Sequence, residues 1–218
     1  GYVPGGAETV VRALLEVLGD EGTLLLPGFS YDHTTPQNPY FDILRTPSNV
    51  GAIPEYFRTR PGTLRSMHPT HSVCGVGRLA AEILKDHVLD STPCGEHSPI
   101  HQLRNYDGQI LMLGCGLHPN TSIHGIEELV VPPYLYAPQM IYRLVFEDGR
   151  LVEKMYLPHY FEGWRQRYDR VETILNGDNL RRGQVLDAQV HLIDAPALWR
   201  TALGVLQKDN LFFVERIG

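Results

Sequence analysis

Apolar residues near the start of the chain fall at Val10, Leu14, Leu15 and Leu18, the spacing of one face of a helix. Gly19 follows as the expected C-cap. The run TLLLPGF (Thr23–Phe29) is short, apolar and stopped by Pro27 and Gly28, which reads as a buried strand. Two more such strands are expected, one from His71 to Gly77 and one in QILMLG, each succeeded by a helical pattern (RLAAEILKDH and NTSIHGIEELV). Shorter helices are read in VGAIPEYFRTR and in SPIHQLRNYDG, where Ser98 and Pro99 supply an N-cap and a proline at the first helical position. Between these elements YDHTTPQNPYFDILRTPSN is a long, Pro-rich loop, and long loops in compact domains are often functional.

From about Pro132 the pattern changes. QMIYRLVFEDGRLVEKMYL alternates about Asp148-Gly149, a strong hairpin signal. YFEGWRQRYDRVETIL reads as an amphipathic helix, VLDAQVHLIDA as a strand or hairpin, APALWRTALGVLQKDN as a helix and LFFVERI as a final strand. Together these predict an α/β fold in one domain over residues 1–218. It has a mixed, largely parallel central sheet flanked by helices, and an antiparallel hairpin region in the C-terminal third, residues 132–218.

Composition narrows the function classes. A hydrophobic fraction of 43% with 20% charged residues describes a folded globular chain. Nineteen Lys and Arg against 25 Asp and Glu give a net charge of -6, which argues against nucleic acid as a partner and is compatible with a cationic ligand. Cys74, Cys94 and Cys115 are odd in number with no CxxC, which fits a reducing cytoplasm better than a disulfide framework or a Cys-rich zinc site. No apolar run approaches the roughly 20 residues that span a bilayer, so no membrane partner is expected. The chain begins GYVPGG without Met, and a preceding segment is expected to be missing.

The strand-to-helix junction LMLGCGLHPNTSIHGIEEL is where α/β sheets place ligands. Asn120, Thr121 and Ser122 are each N-cap candidates, which puts His124 in the first helical turn. A helix N-terminus disfavours positive charge and so suits an imidazole acting as a base. The alternative is a capping box with a structural histidine and Glu127 as an exposed first-turn acid. In HPTHS, His68 and His71 stand at i, i+3 beside Thr70 and Ser72; the reading is open between a polar turn and a pair of metal ligands that lacks a third. PGGAE places Gly5, Gly6 and Ala7 before a helix, where a phosphate could approach backbone amides, but it is neither a dinucleotide fingerprint nor a P-loop. TPCGEHSPIHQL holds Cys94, Glu96, His97 and His101, with nothing that activates the thiol. His159 and Glu162 stand in an Arg- and aromatic-rich stretch.

Taken in order, GGAETVVRALLEVLGDEGTLLLPGFS, RSMHPTHSVCGVG, STPCGEHSPIHQL and DGQILMLGCGLHPNTSIHGIEEL resemble the aminoglycoside 3-N-acetyltransferase family over most of the first 130 residues. The resemblance is looser in the C-terminal third. It implies transfer of acetyl from acetyl-coenzyme A to the 3-amine of a 2-deoxystreptamine ring, in an α/β fold of its own. It implies His124 as catalytic base, and Gly5, Gly6, Ala7, His68, Thr70, His71 and Ser72 near the coenzyme. Relatives orient the base with an acid after the second hairpin strand, where this chain has MYLPHYF with His159; His159 or Glu127 is then the group that orients or charge-stabilises His124. Asp32, Glu96 and Thr121 are the expected contacts of a polycationic aminoglycoside. No metal is called for, and a homodimer is among the assemblies the sequence allows. Two other readings stay open: a metal-dependent hydrolase using His68, His71, His118, His124 or His159, and a coenzyme A-binding protein with another amine or none.

Overall fold

The computed structural model describes residues 3–217, which divide into two units, one of residues 3–99 and 138–158 and one of residues 100–137 and 159–217.

In the first unit, α1 (Gly6–Leu18) turns Val11 into a buried cluster with Phe57 and Cys74 and ends where Gly19, at φ 63°, donates its N–H to Leu15 O. β1 (Thr23–Pro27) follows. β2 (Tyr40–Asp42) lies inside the segment expected to be one long loop. α2 (Ala52–Thr59), β3 (Leu64–Arg65), β4 (Val73–Gly77) and α3 (Ala80–Leu84) complete the first stretch. α3 is shorter than RLAAEILKDH suggests, because the chain tightens into a 3-10 turn at His87–Leu89. β1, β4 and β3 form one sheet with antiparallel pairing, Leu24 opposite Val76 and Leu26 opposite Cys74. A second sheet has the order β2, β6 (Met140–Val145), β7 (Leu151–Tyr156). β6 and β7 are the hairpin expected about Asp148-Gly149, and Gly149 takes the positive φ of 80° that the turn requires. Phe41, Met67, Tyr142, Leu144 and Tyr156 form its core.

The second unit begins inside α4 (Pro99–Gln102) and continues through a 3-10 turn to β5 (Gln109–Leu113) and α5 (Ser122–Val130). β8 (Trp164–Gln166), β9 (Leu180–Val185), β10 (Ala188–Asp194), α6 (Ala195–Leu206) and β11 (Val214–Arg216) follow. Its sheets are β5-β10-β9 and β11-β8, all antiparallel. α6 is capped by Asp194, whose carboxylate accepts from Ala197 N at 2.8 Å, with proline in the first turn. Ile123 and Ile126 of α5 are fully buried in one cluster with Leu198, Trp199 and Ala202 of α6, which fixes α5 in place.

Two expectations are corrected. The sheet was expected to be largely parallel, yet among the described residues only β2 and β6 pair in parallel, and the strands form several small sheets. Short apolar runs such as Leu24–Leu26 satisfy a buried strand in either orientation, so periodicity does not decide the pairing. The helix expected over YFEGWRQRYDRVETIL is absent: Trp164–Gln166 pairs with Val214–Arg216, and Tyr168–Thr173 is a 3-10 helix.

Candidate active site

α5 begins without a side-chain cap. Thr121 occupies the N-cap position without a side-chain hydrogen bond of its own, and Asn120 Oδ1 accepts from Ser122 N at 3.2 Å, so of the three polar residues it is Asn120 that serves an N–H of the first turn. His124 still lands in the first turn, its backbone N–H on Thr121 O at 3.0 Å.

Ile123, Ile126, Glu127 and Val130 share one face at i, i+3, i+4 and i+7. That face points into the core, and Glu127 is 0% exposed, so the alternative of an exposed first-turn acid is corrected. A buried carboxylate requires hydrogen-bond donors. Tyr134 Oη–H donates to Oε1 at 2.7 Å and Tyr168 Oη–H to Oε2 at 2.8 Å. His124 Nδ1 stands 3.2 Å from the same Oε2 and 2.9 Å from Tyr168 Oη. An ionised carboxylate only accepts, and Tyr168 has a single O–H. One assignment satisfies all four contacts: Tyr168 donates to Glu127, and Nδ1–H of His124 donates to Tyr168 Oη and Glu127 Oε2. The tautomer so assigned carries its proton on Nδ1 and leaves Nε2 as the basic nitrogen. The imidazole is 12% exposed and sits edge-on to Tyr168, with Phe161 at 5.1 Å between ring centroids.

His159 lies 4.9 Å from the His124 ring, centroid to centroid, but its Nε2 pairs with Glu128 Oε1 at 2.7 Å. Burial first, and then the neighbouring His124, hold His159 well below the usual imidazole range, so it is a neutral ring donating Nε2–H to Glu128. Of the two residues expected to orient His124, Glu127 meets its Nδ1, whereas His159 lies beside its ring. Thr121 is half-buried at the start of α5. Tyr134, Tyr168, Phe161 and Glu128 escaped the sequence reading. At the end of β5, Cys115 is exposed between Gly114 and Gly116, and partial burial of its sulfur pushes the thiol up.

The other candidates belong to the first unit. His68 is buried, and its Nδ1 accepts from Thr70 N at 3.2 Å and His71 N at 3.0 Å, so it organises the HPTHS turn. Its ring stacks on His87 at 4.8 Å. Ser66 Oγ accepts from Val73 N and shares a further hydrogen bond with His87 Nδ1, both at 2.8 Å. Thr70 Oγ1 meets His71 Nδ1 at 2.9 Å. Ser72 is 0% exposed, and its hydroxyl accepts from Arg65 Nε at 2.9 Å and donates to Gly28 O at 2.7 Å. Gly5 and Gly6, at φ 77° and 61°, turn the chain into α1, whose N-terminus carries no side-chain cap; a Cβ on Gly6 would meet nothing within 4 Å. Gly6 N–H donates to Val3 O at 2.9 Å, so an anion at this turn is met from Ala7 onward, with Glu8 as an opposing charge. Asp32 and Glu96 are exposed, Asp32 sharing a hydrogen bond with Asn49 at 3.1 Å. Among the described residues no group of three or more His, Cys, Asp or Glu is arranged to hold a metal ion, and no helix is long and apolar enough to cross a membrane.

A sequence profile of aminoglycoside 3-N-acetyltransferases matches residues 1–207. Aminoglycoside N(3)-acetyltransferase IV of Salmonella is 31% identical over 207 residues, covering 94% of this chain and 76% of that one. Aminoglycoside N(3)-acetyltransferase VII of Streptomyces paromomycinus is 35% identical over 150 residues, 61% of this chain and 52% of its own. The chain thus spans about half the length of several curated relatives it matches. Among solved structures, AAC-IIIb in a binary complex with CoASH superposes with a TM-score of 0.80 at 28% identity, over 95% of this chain and 85% of that one. Aminoglycoside acetyltransferase AAC(3)-IVa, in complex with a gentamicin, gives a TM-score of 0.79 at 28% identity, over 98% of this chain and 79% of that one.

Proposed function

Because the chain belongs to the aminoglycoside 3-N-acetyltransferase family, we propose that it acetylates an amine of a 2-deoxystreptamine aminoglycoside with His124 as general base. The observation that carries this reading is the contact of His124 Nδ1 with Glu127 Oε2 at 3.2 Å and Tyr168 Oη at 2.9 Å, which assigns a proton to Nδ1 and makes Nε2 the nitrogen that would take the amine's proton.

Acetyl-coenzyme A, when bound, supplies the acetyl group as a thioester. The uncapped turn into α1 fits its phosphates: the space beside Gly6 is open, and the backbone N–H of Ala7 would hold them, while Gly5 makes the turn against the Thr9 side chain. His68, Thr70 and His71 are the further candidates for the coenzyme, Ser72 acting as a tie beneath them.

A protonated amine cannot attack a carbonyl. His124 Nε2 takes the proton, directly or through one water, as the nitrogen becomes nucleophilic. Glu127 stabilises the imidazolium that forms, as the acid of a Ser-His-Asp triad does. The positive end of the α5 dipole and the Thr121 hydroxyl suit the negative charge that develops on the carbonyl oxygen. Transfer would be direct, without an acyl-enzyme: the new N–C bond replaces the thioester C–S bond, the departing thiolate would take the proton held by the His124 imidazolium, and the second amine proton would go to solvent. Asp32 and Glu96, both exposed, suit the ammonium groups of a polycationic substrate. A cytoplasmic location fits this chemistry, since that is where acetyl-coenzyme A and an imported drug meet.

The test is thiol release from acetyl-coenzyme A by the full-length protein, across a panel of 2-deoxystreptamine aminoglycosides and without amine. Release that depends on the amine is expected. Coenzyme A binding with no release for any of them would reject the aminoglycoside reading in favour of a coenzyme-binding protein with a different amine substrate or none.

A further inference from the structure

We infer that Tyr134 and Tyr168 are positioning residues, which hold the base in its working tautomer through the carboxylate of Glu127. The inference rests on the reading of His124 as general base.

In water a histidine side chain favours its proton on Nε2, the form in which Nε2 has no lone pair to offer. Acceptors at Nδ1 reverse that preference. Two are present, and Tyr168 Oη at 2.9 Å is nearer than Glu127 Oε2 at 3.2 Å. Tyr168 can accept there only because its own proton is committed to Glu127, 2.8 Å away. The phenol is therefore a relay: the carboxylate orients the hydroxyl, and the hydroxyl orients the imidazole.

Tyr134 acts one step further back. Its hydroxyl bonds Oε1 at 2.7 Å, so both oxygens of the buried carboxylate are pinned and the group cannot swing about its last bond. The ring is wedged between Phe161 and Trp164, at 5.6 and 5.5 Å between centroids. Burial, and then the charge on Glu127, push the Tyr134 hydroxyl far up, so it remains a donor at any working pH. A tyrosine in each place does what phenylalanine could not, although both rings would pack equally well.

The experiment reads the tautomer and the rate together. Full-length protein with 15N-labelled histidine is compared with Tyr168→Phe and Tyr134→Phe at about pH 8, where imidazoles are neutral. In the unsubstituted protein His124 is expected to show a protonated Nδ1 and an unprotonated Nε2. Tyr168→Phe shifts it to a mixture of tautomers and lowers kcat roughly 10-fold, with KM for the amine changed by less than about twofold. Tyr134→Phe moves both in the same direction by less, and it carries the test if Tyr168→Phe, whose ring is almost fully buried, does not fold. Both variants keeping the original nitrogen signals and kcat would overturn the inference alone. Absence of amine-dependent release in the unsubstituted protein would overturn the functional reading and the inference with it.

Discussion

With His124 as the proposed base, His124→Ala is expected to lower turnover with an aminoglycoside amine by roughly 10³-fold, while acetyl-coenzyme A binding stays within about twofold. The loss is that of a proton acceptor in the rate-determining complex, so kcat falls and the coenzyme's affinity does not. Glu127→Gln gives a second, independent view of the same site. Glutamine has the size of glutamate but only one oxygen, and the buried carboxylate here serves donors on both sides: Tyr134 on Oε1, and Tyr168 with His124 on Oε2. If the amide turns its NH₂ toward His124, Nδ1 must accept and the proton moves to Nε2, which disables the base. If it turns its NH₂ toward Tyr134, the phenol oxygen must rotate to accept, and the amide oxygen left facing His124 carries no charge to stabilise the imidazolium. Either way kcat falls by roughly 10²- to 10⁴-fold, the range seen when the acid of a Ser-His-Asp triad becomes an amide. Steady-state kinetics on both variants decide the matter. Glu127→Gln within about threefold of the unsubstituted enzyme, beside a silent His124→Ala, would assign the tautomer to another group.

The fold loses stability as pH drops below about 6.5, because two buried imidazoles are neutral when folded and protonate when unfolded. Burial pulls His87 down to about 3, helped by the charges of Lys154 and His97 and opposed by the Pro93 carbonyl, and His159 is also held well below its usual value. Between the folded and unfolded values the unfolded chain binds protons that the folded one excludes. Unfolding free energy therefore rises with pH there, by up to about 1.4 kcal/mol per pH unit for each histidine, and levels off above the unfolded value. Urea midpoints at about pH 7.5 and about pH 5 measure it. His87→Asn keeps a polar partner for the Ser66 hydroxyl and removes one titrating ring, so its midpoint varies less between the two pH values than that of the parent. An equal variation would place the acid sensitivity elsewhere.

Much of this was open to reading from the sequence where the signal is local. The helix ending at Gly19, the hairpin about Asp148-Gly149 and the entry of His124 into the first turn of α5 each depend on a few neighbouring residues. Glu127 was readable too: the spacing of Ile123, Ile126 and Val130 puts it on the apolar face of its helix, where an acid is buried and must be served by donors. Non-local pairing was hidden. WRQ becomes a strand because it finds Val214–Arg216, some fifty residues on, and no helical period within the segment outweighs that partner. The two tyrosine donors to Glu127 lie seven and 41 residues away along the chain, in PPYLY and RQRYDR, and no spacing rule connects them. His159 drew attention as a substitute acid, but its own carboxylate partner, Glu128, follows the residue that meets the base.

Cys115, on the turn that leads into α5, makes the protein visible to thiol reagents before it turns over any substrate. Cys74 and Cys94 are buried and out of reach, whereas Cys115 faces solvent. A reagent that traps the thiol of coenzyme A therefore also consumes this one, whether or not an amine is present. Since the thiol titrates above its usual range, little of it is thiolate near neutrality, and the side reaction is a slow drift rather than an initial burst. Cys115→Ser removes that drift and leaves a progress curve whose slope belongs to the amine.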